Sequence, residues 1–164
     1  MKKALLTFSK SVRLFGAALL IGAVSMTYTG CSSEGCTDPN ANNYDEKADE
    51  DDGTCEFDRD AMIGTYSVSG AIACGVTGNG AASCLSLIVS ESSVGTDKIV
   101  LNLEGTALTA VVSGSSFTIE NATIDGYDYS GSGSISGNTI NVVINEYDDS
   151  IPETCIFTLN GSRQ

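Results

Sequence analysis

The chain has 164 residues, with 8 Lys and Arg against 21 Asp and Glu, and neither His nor Trp. Without histidine there is no Ser-His-Asp or Cys-His nucleophile system, no His-ligated zinc and no imidazole base. A formal charge of −13 disfavours nucleic acid as a partner, because phosphate binding needs a basic face.

Charge is unevenly spread along the chain. Lys2, Lys3, Lys10 and Arg13 precede Leu14–Met26, which is apolar apart from Ser25 and its glycines, and no acid appears before Glu34. A basic start, an apolar run of about a dozen residues and small residues after it predict a secretory signal peptide over 1–30. The run is too short for a permanent membrane-spanning helix. Thr29-Gly30-Cys31 resembles the lipobox of bacterial lipoproteins. That resemblance implies lipidation of Cys31, removal of residues 1–30 and acylation of the new amino terminus. Two or three acyl chains anchor a protein stably where one holds it only marginally. Ser32 follows the cysteine, where a retention signal for the inner membrane would carry Asp, so the expected location is the outer membrane. The remaining chain carries four basic residues against 21 acids, a charge of −17, which anionic lipid should repel.

Residues 34–60 hold 11 acids and 2 basic residues. Gly35-Cys36-Thr37-Asp38-Pro39-Asn40-Ala41-Asn42-Asn43-Tyr44, running on to Asp51-Asp52-Gly53-Thr54-Cys55, resembles the cysteine-bracketed GCTDPxAxNY…DDGSC repeat of exported proteins from gliding-type Gram-negative bacteria. An exported compartment permits a Cys36–Cys55 bridge, contributing about 3 kcal/mol to a segment with almost no apolar residues. Two readings of the acids stand side by side. Asp45, Asp49, Asp51 and Asp52 are hard oxygen donors beside a turn glycine and are candidate calcium ligands, although the spacing is not that of an EF-hand. Alternatively the block, with Cys31 counted as 31–60, is a solvated, disulfide-closed stalk. Glu56, Asp58, Arg59 and Asp60 read as plain linker.

From Met62 onward the chain turns to short alternating runs punctuated by Gly, Ser and Asn, a β pattern. Eight strands are predicted near 64–74, 84–91, 97–103, 107–113, 115–120, 127–136, 138–147 and 154–160. Parity assigns the inward faces, among them Tyr66 and Val68, Leu87 and Val89, Leu108 and Ala110, Phe117 and Ile119, Tyr127 and Tyr129, and Ile140 to Ile144. Each strand has one apolar face, as expected of antiparallel sheet with the other side in water. Regular short hairpins favour a small eight-stranded up-and-down barrel over 61–164, whose closure hides the strand edges.

Cysteine parity fits such closure. Cys74 ends the first strand and Cys155 opens the last, both on the inward parity, and antiparallel pairing makes those ends neighbours. A Cys74–Cys84 bridge across the 75–83 loop stays open as the alternative. Setting Cys31 aside leaves five cysteines, so one thiol is unpaired or intermolecular. Cys84, on the opposite parity, is the expected one.

Gly64-Thr65-Tyr66, followed by Tyr129-Ser130-Gly131-Ser132-Gly133-Ser134-Ile135-Ser136-Gly137-Asn138-Thr139-Ile140, resembles small lipocalin-like domains of bacterial lipoproteins. Gly64-x-Tyr66 stands where lipocalins carry Gly-x-Trp. Gly131 and Gly133 fall on the inward face. Their missing side chains either open a pocket lined with Tyr66 and Tyr129, or let the strand bend at a packed corner. The second reading suits a barrel this small, whose interior side chains can just fill.

The acid pairs Asp148/Asp149 and Asp125/Asp128 sit in turns or on outward positions, and no catalytic residue is assigned. Asp149-Ser150-Ile151 resembles a short O-glycosylation acceptor of such bacteria. The expected function is a non-catalytic structural or interaction module held to the membrane by its lipid. The alternative is a carrier of a small apolar ligand in the barrel interior.

Overall fold

The computed structural model describes residues 32–164. The predicted signal peptide and Cys31 lie outside the described residues. Glu34–Gln164 form one compact unit. Two short strands, β1 (Glu34–Gly35) and β2 (Glu50–Asp51), pair in parallel within the acidic block. A 3₁₀ turn, Asp58–Ala61, leads into β3 (Gly64–Cys74), β4 (Asn79–Glu91), β5 (Lys98–Leu103) and β6 (Thr106–Ser113). The chain continues as β7 (Ser116–Ile124), β8 (Tyr127–Ser136), β9 (Thr139–Asp148) and β10 (Glu153–Arg163). Strands β3–β10 close into an antiparallel barrel in which each pairs with its successor and β10 returns to β3. The all-β, up-and-down eight-stranded architecture expected from the alternation is therefore the observed one.

Apolar alternation becomes the core. Val68, Leu87, Val89, Ile99, Leu101, Leu108, Ala110, Phe117, Ile119, Ile140, Val142 and Leu159 are all buried inside the barrel. Tight hairpins follow from their turn residues. Glu104-Gly105 and Asp125-Gly126 both hold positive φ, 51° and 102° in the first and 54° and 89° in the second. Paired positive φ is the backbone that matches the strand twist in two-residue hairpins.

Two bulges set the limits of strict alternation. In β4, Leu85 faces Val68 and Ala82 faces Gly70, so two residues of β4 stand opposite Ser69 alone. Cys84 takes φ 56° there, and beyond it the inward parity passes to Ala82, which is buried. In β7 the register shifts between Ile119 and Ala122. β4 accordingly begins at Asn79 rather than near 84, and β7 runs to Ile124 rather than 120. An extra residue reverses the alternation that marks a strand, so pattern reading stops at each bulge.

The linker reading of residues 56–60 is corrected by the structure. The Phe57 amide donates to Asp60 Oδ2 at 2.8 Å, Arg59 Nη1 donates to the Gly95 carbonyl at 2.7 Å and the Gly114 amide donates to Asp58 Oδ2 at 2.9 Å. These charged side chains fasten the 3₁₀ turn across the barrel end between the β4–β5 and β6–β7 connections. Asn42 Nδ2 also donates to Asp58 Oδ1 at 3.0 Å, so the acidic block is joined to the same end.

Candidate functional site

The barrel has two unlike ends. One holds the start of β3 and the end of β10, and it is closed. Tyr66 and Met62 are buried there, 0% and 1% exposed. The Tyr66 hydroxyl donates to the Met62 carbonyl at 2.9 Å and accepts from Arg163 Nη2 at 2.7 Å. Arg163 also donates to the Ala61 carbonyl at 2.6 Å, and its guanidinium carbon lies 5.3 Å from the Tyr66 ring centre. A buried phenol needs its hydroxyl satisfied, and this arrangement satisfies it fully. Tyr66 is thus part of a plug and not the lining of a pocket.

Gly131 and Gly133 are packed positions as well. A Cβ on Gly133 would lie 2.7 Å from Phe117 Cε2 and 2.5 Å from the Asn141 carbonyl oxygen. One on Gly131 would meet Ile119 Cδ1 at 3.1 Å and run into the Val143 carbonyl. The volume these glycines leave is filled by Phe117, Ile119 and the backbone of β9. The pocket reading of Gly131 and Gly133 is overturned by that close approach.

The other end, where β8 begins and β9 ends, is open. A recess of about 200 Å³ enters the barrel there. Its wall is apolar, formed by Leu85, Leu103, Leu108, Ile144 and Phe157. Of the four expected pocket residues only Tyr129 reaches it. Tyr127, assigned inward by parity, is 37% exposed because it lies beyond the last core layer.

Glu104, Thr106, Glu146 and Tyr129 complete the recess. Glu146 faces Tyr129 across the β8–β9 pairing and Cys155 across the β9–β10 pairing. Burial, and then the neighbouring Glu146 carboxylate, push the Tyr129 phenol up to about 12. Glu104 is occupied elsewhere, since its Oε1 accepts from the Ser86 amide at 3.0 Å. Glu146 continues the inward parity of Ile140, Val142 and Ile144, and that parity was the signal that could have found it.

Disulfides join Cys36 to Cys55 and Cys74 to Cys155. The second bridges β10 and β3 where they pair. Cys84 is free and exposed. Beside the seam, Glu153 accepts from the Val76 and Thr77 amides, the latter at 2.9 Å. Those bonds hold its carboxyl below the usual range. A depressed folded value means that the stabilisation is present above the ordinary glutamate range and is lost as pH falls through the folded value. Hydrogen exchange at the Val76 and Thr77 amides should therefore stay slow at neutral pH and quicken only below the ordinary glutamate range. Glu153→Gln, which keeps an oxygen acceptor but has no titrating carboxyl, should remove that acid-dependent step after correction for intrinsic rates.

In the acidic block three of the four candidate calcium ligands, all but Asp49, are turned to local work. Asp45 Oδ1 accepts from the Lys47 amide at 2.9 Å, Asp51 Oδ1 from the Gly53 amide at 3.0 Å and Asp52 Oδ1 from the Thr54 amide at 2.9 Å. Bonds from Thr54 also lower the Asp52 carboxyl. Among the described residues no three of these carboxylates converge within 4.8 Å; the one such group is Cys74, Glu153 and Cys155, whose sulfurs are already bonded together. Asp148 accepts from Ser150 and Asp128 accepts from Thr123, so these outward acids also serve their own turns. Ser150 is exposed in the β9–β10 connection.

Compared with protein-family models and with curated proteins, the chain matches none.

Proposed function

We propose that the chain is an exported, lipid-anchored, non-catalytic interaction module with the β-barrel as its head. The observation that carries this reading is the filled interior. Tyr66 and Met62 plug one end, Phe117 and Ile119 fill the middle against Gly133 and Gly131, and only about 200 Å³ remains at the other end. Small-molecule sites ordinarily offer about 300–1,000 Å³. A rigid surface suits such a barrel better than carriage of a large apolar ligand. Lipid anchoring is supported by Thr29-Gly30-Cys31 after a basic and then apolar leader.

A second reading, a carrier of a small apolar ligand, is favoured by the apolar wall of the recess, and it limits that ligand to about six carbons. Native mass spectrometry separates the two. Protein of the bare acylated mass supports the module, and a co-purifying small molecule supports the carrier. For the anchor, Cys31→Ala should abolish acylation and lipoprotein-type processing and remove the chain from the outer-membrane fraction. A Cys31→Ala chain still recovered there, processed and acylated, would refute the anchor.

A further inference from the structure

The open-end recess combines two features that do not ordinarily share a cavity, a leucine-rich wall and an inward carboxylate with no cation beside it. The described part of the chain has four basic residues: Lys47, Arg59, Lys98 and Arg163. None lines the recess. Arg59 pairs with Asp60 and Glu91, Lys98 pairs with Glu120, Arg163 is bonded to Tyr66 and Ala61 at the closed end, and Lys47 lies in the acidic block. Among the described residues no salt bridge reaches Glu146. Its neighbours are Tyr129 on one strand and the disulfide cysteine Cys155 on the other, and Glu104 adds a second negative charge at the rim. A partly buried carboxylate is stabilised by a cation in direct contact, and among the described residues nothing at this end of the barrel supplies one.

We propose that the recess binds a protonated primary amine on a short aliphatic stem, the ammonium on Glu146 and the stem among Leu85, Leu103, Leu108, Ile144 and Phe157. Both parts of the ligand follow from the site. A cavity of 150 Å³ holds benzene, so about 200 Å³ takes a stem of about six carbons. Glu146 lines the recess beside Tyr129, and its carboxylate oxygens offer acceptor lone pairs for the three N–H donors of an ammonium. An anionic ligand of equal size would meet Glu104 and Glu146 together and be repelled. The same chemistry is offered by a free alkylamine and by the lysine side chain of a partner protein. This inference goes beyond anchoring and does not depend on Cys31.

The test uses the chain from Ser32 to Gln164, which includes the whole compact unit, with both disulfides formed. Methyl resonances of Leu85, Leu103, Leu108 and Ile144 are followed by NMR during titration with n-hexylammonium, n-hexanol and hexanoate. Saturable shifts confined to these methyls are expected with n-hexylammonium, at a dissociation constant on the order of 1 mM. Hexanol should bind about tenfold more weakly and hexanoate not at all. Glu146→Gln should lower n-hexylammonium affinity about tenfold, while Glu91→Gln at the closed end, an equal loss of charge, should leave it unchanged. Leu103→Trp fills the recess from its wall and should abolish the shifts in a folded barrel. A parallel titration with N-acetyl-lysine methylamide assigns the source: binding of both probes admits a partner's lysine, and binding of hexylammonium alone assigns a free amine. Absence of shifts with both probes, or equal affinity in the wild type and Glu146→Gln, overturns the proposal.

Discussion

Replacing Cys74 and Cys155 together by alanine is expected to lower the stability of the barrel by about 4 kcal/mol, because their bridge closes a loop of 81 residues and so restricts the unfolded chain strongly. On a domain of this size that is a fall of about 15 °C in midpoint temperature, read by circular dichroism during heating or by urea titration. The Cys36–Cys55 bridge spans 19 residues and supplies an internal comparison. Its removal should expose residues 34–56 to protease while leaving the barrel transition nearly in place, since the block contributes little to the interior. A Cys74→Ala/Cys155→Ala protein melting within about 1 kcal/mol of wild type would mean that strand pairing alone holds the seam.

The second large effect concerns Phe117. It is 2% exposed, and its ring occupies the space above Gly133. Phe117→Ala should cost about 4 kcal/mol, the lost burial plus the cavity left behind. Gly133→Val should cost about 3 kcal/mol for the opposite reason, because the new side chain is driven into that ring and toward the Asn141 carbonyl. The informative protein is the double variant. With the ring gone, valine at 133 fills vacated space, while the approach to the Asn141 carbonyl remains. The two losses should then fall short of additivity by at least about 1 kcal/mol. Strict additivity in urea unfolding would show that Phe117 and Gly133 do not share a volume.

The barrel was legible because most of its strands obey one rule, apolar and polar in turn, with turns at Glu104-Gly105, Ser113-Gly114 and Ser136-Gly137. Parity also brings Cys74 opposite Cys155 once β3 and β10 are neighbours. Legibility ended where that rule was broken for physical reasons. The bulge at Cys84 reverses parity, which hid the first part of β4. The 3₁₀ turn carries Asp58, Arg59 and Asp60, a composition that reads as solvent-facing, yet its charges bind backbone at the barrel end. Tyr66 belonged to the interior by pattern, but only its hydrogen bonds to Met62 and Arg163 reveal a plug. The recess was missed because Glu146 looks like the end of an apolar strand. It is instead the next inward position, placed where the interior gives way to solvent.

The seam has a consequence for how this protein is made. Seven of the eight strand contacts join consecutive strands, so they form locally and early. The eighth, β3 with β10, must wait for the whole sequence between them, and such non-local contacts slow folding. Cys84 meanwhile lies ten positions from Cys74, far closer along the chain than Cys155. Oxidation that outruns seam closure is expected to pair Cys74 with Cys84, a misbridged species that disulfide mapping during oxidative refolding would reveal. Under oxidising conditions Cys84→Ser should therefore refold to native protein in higher yield than the wild type, and equal yields would show that barrel closure outpaces thiol oxidation.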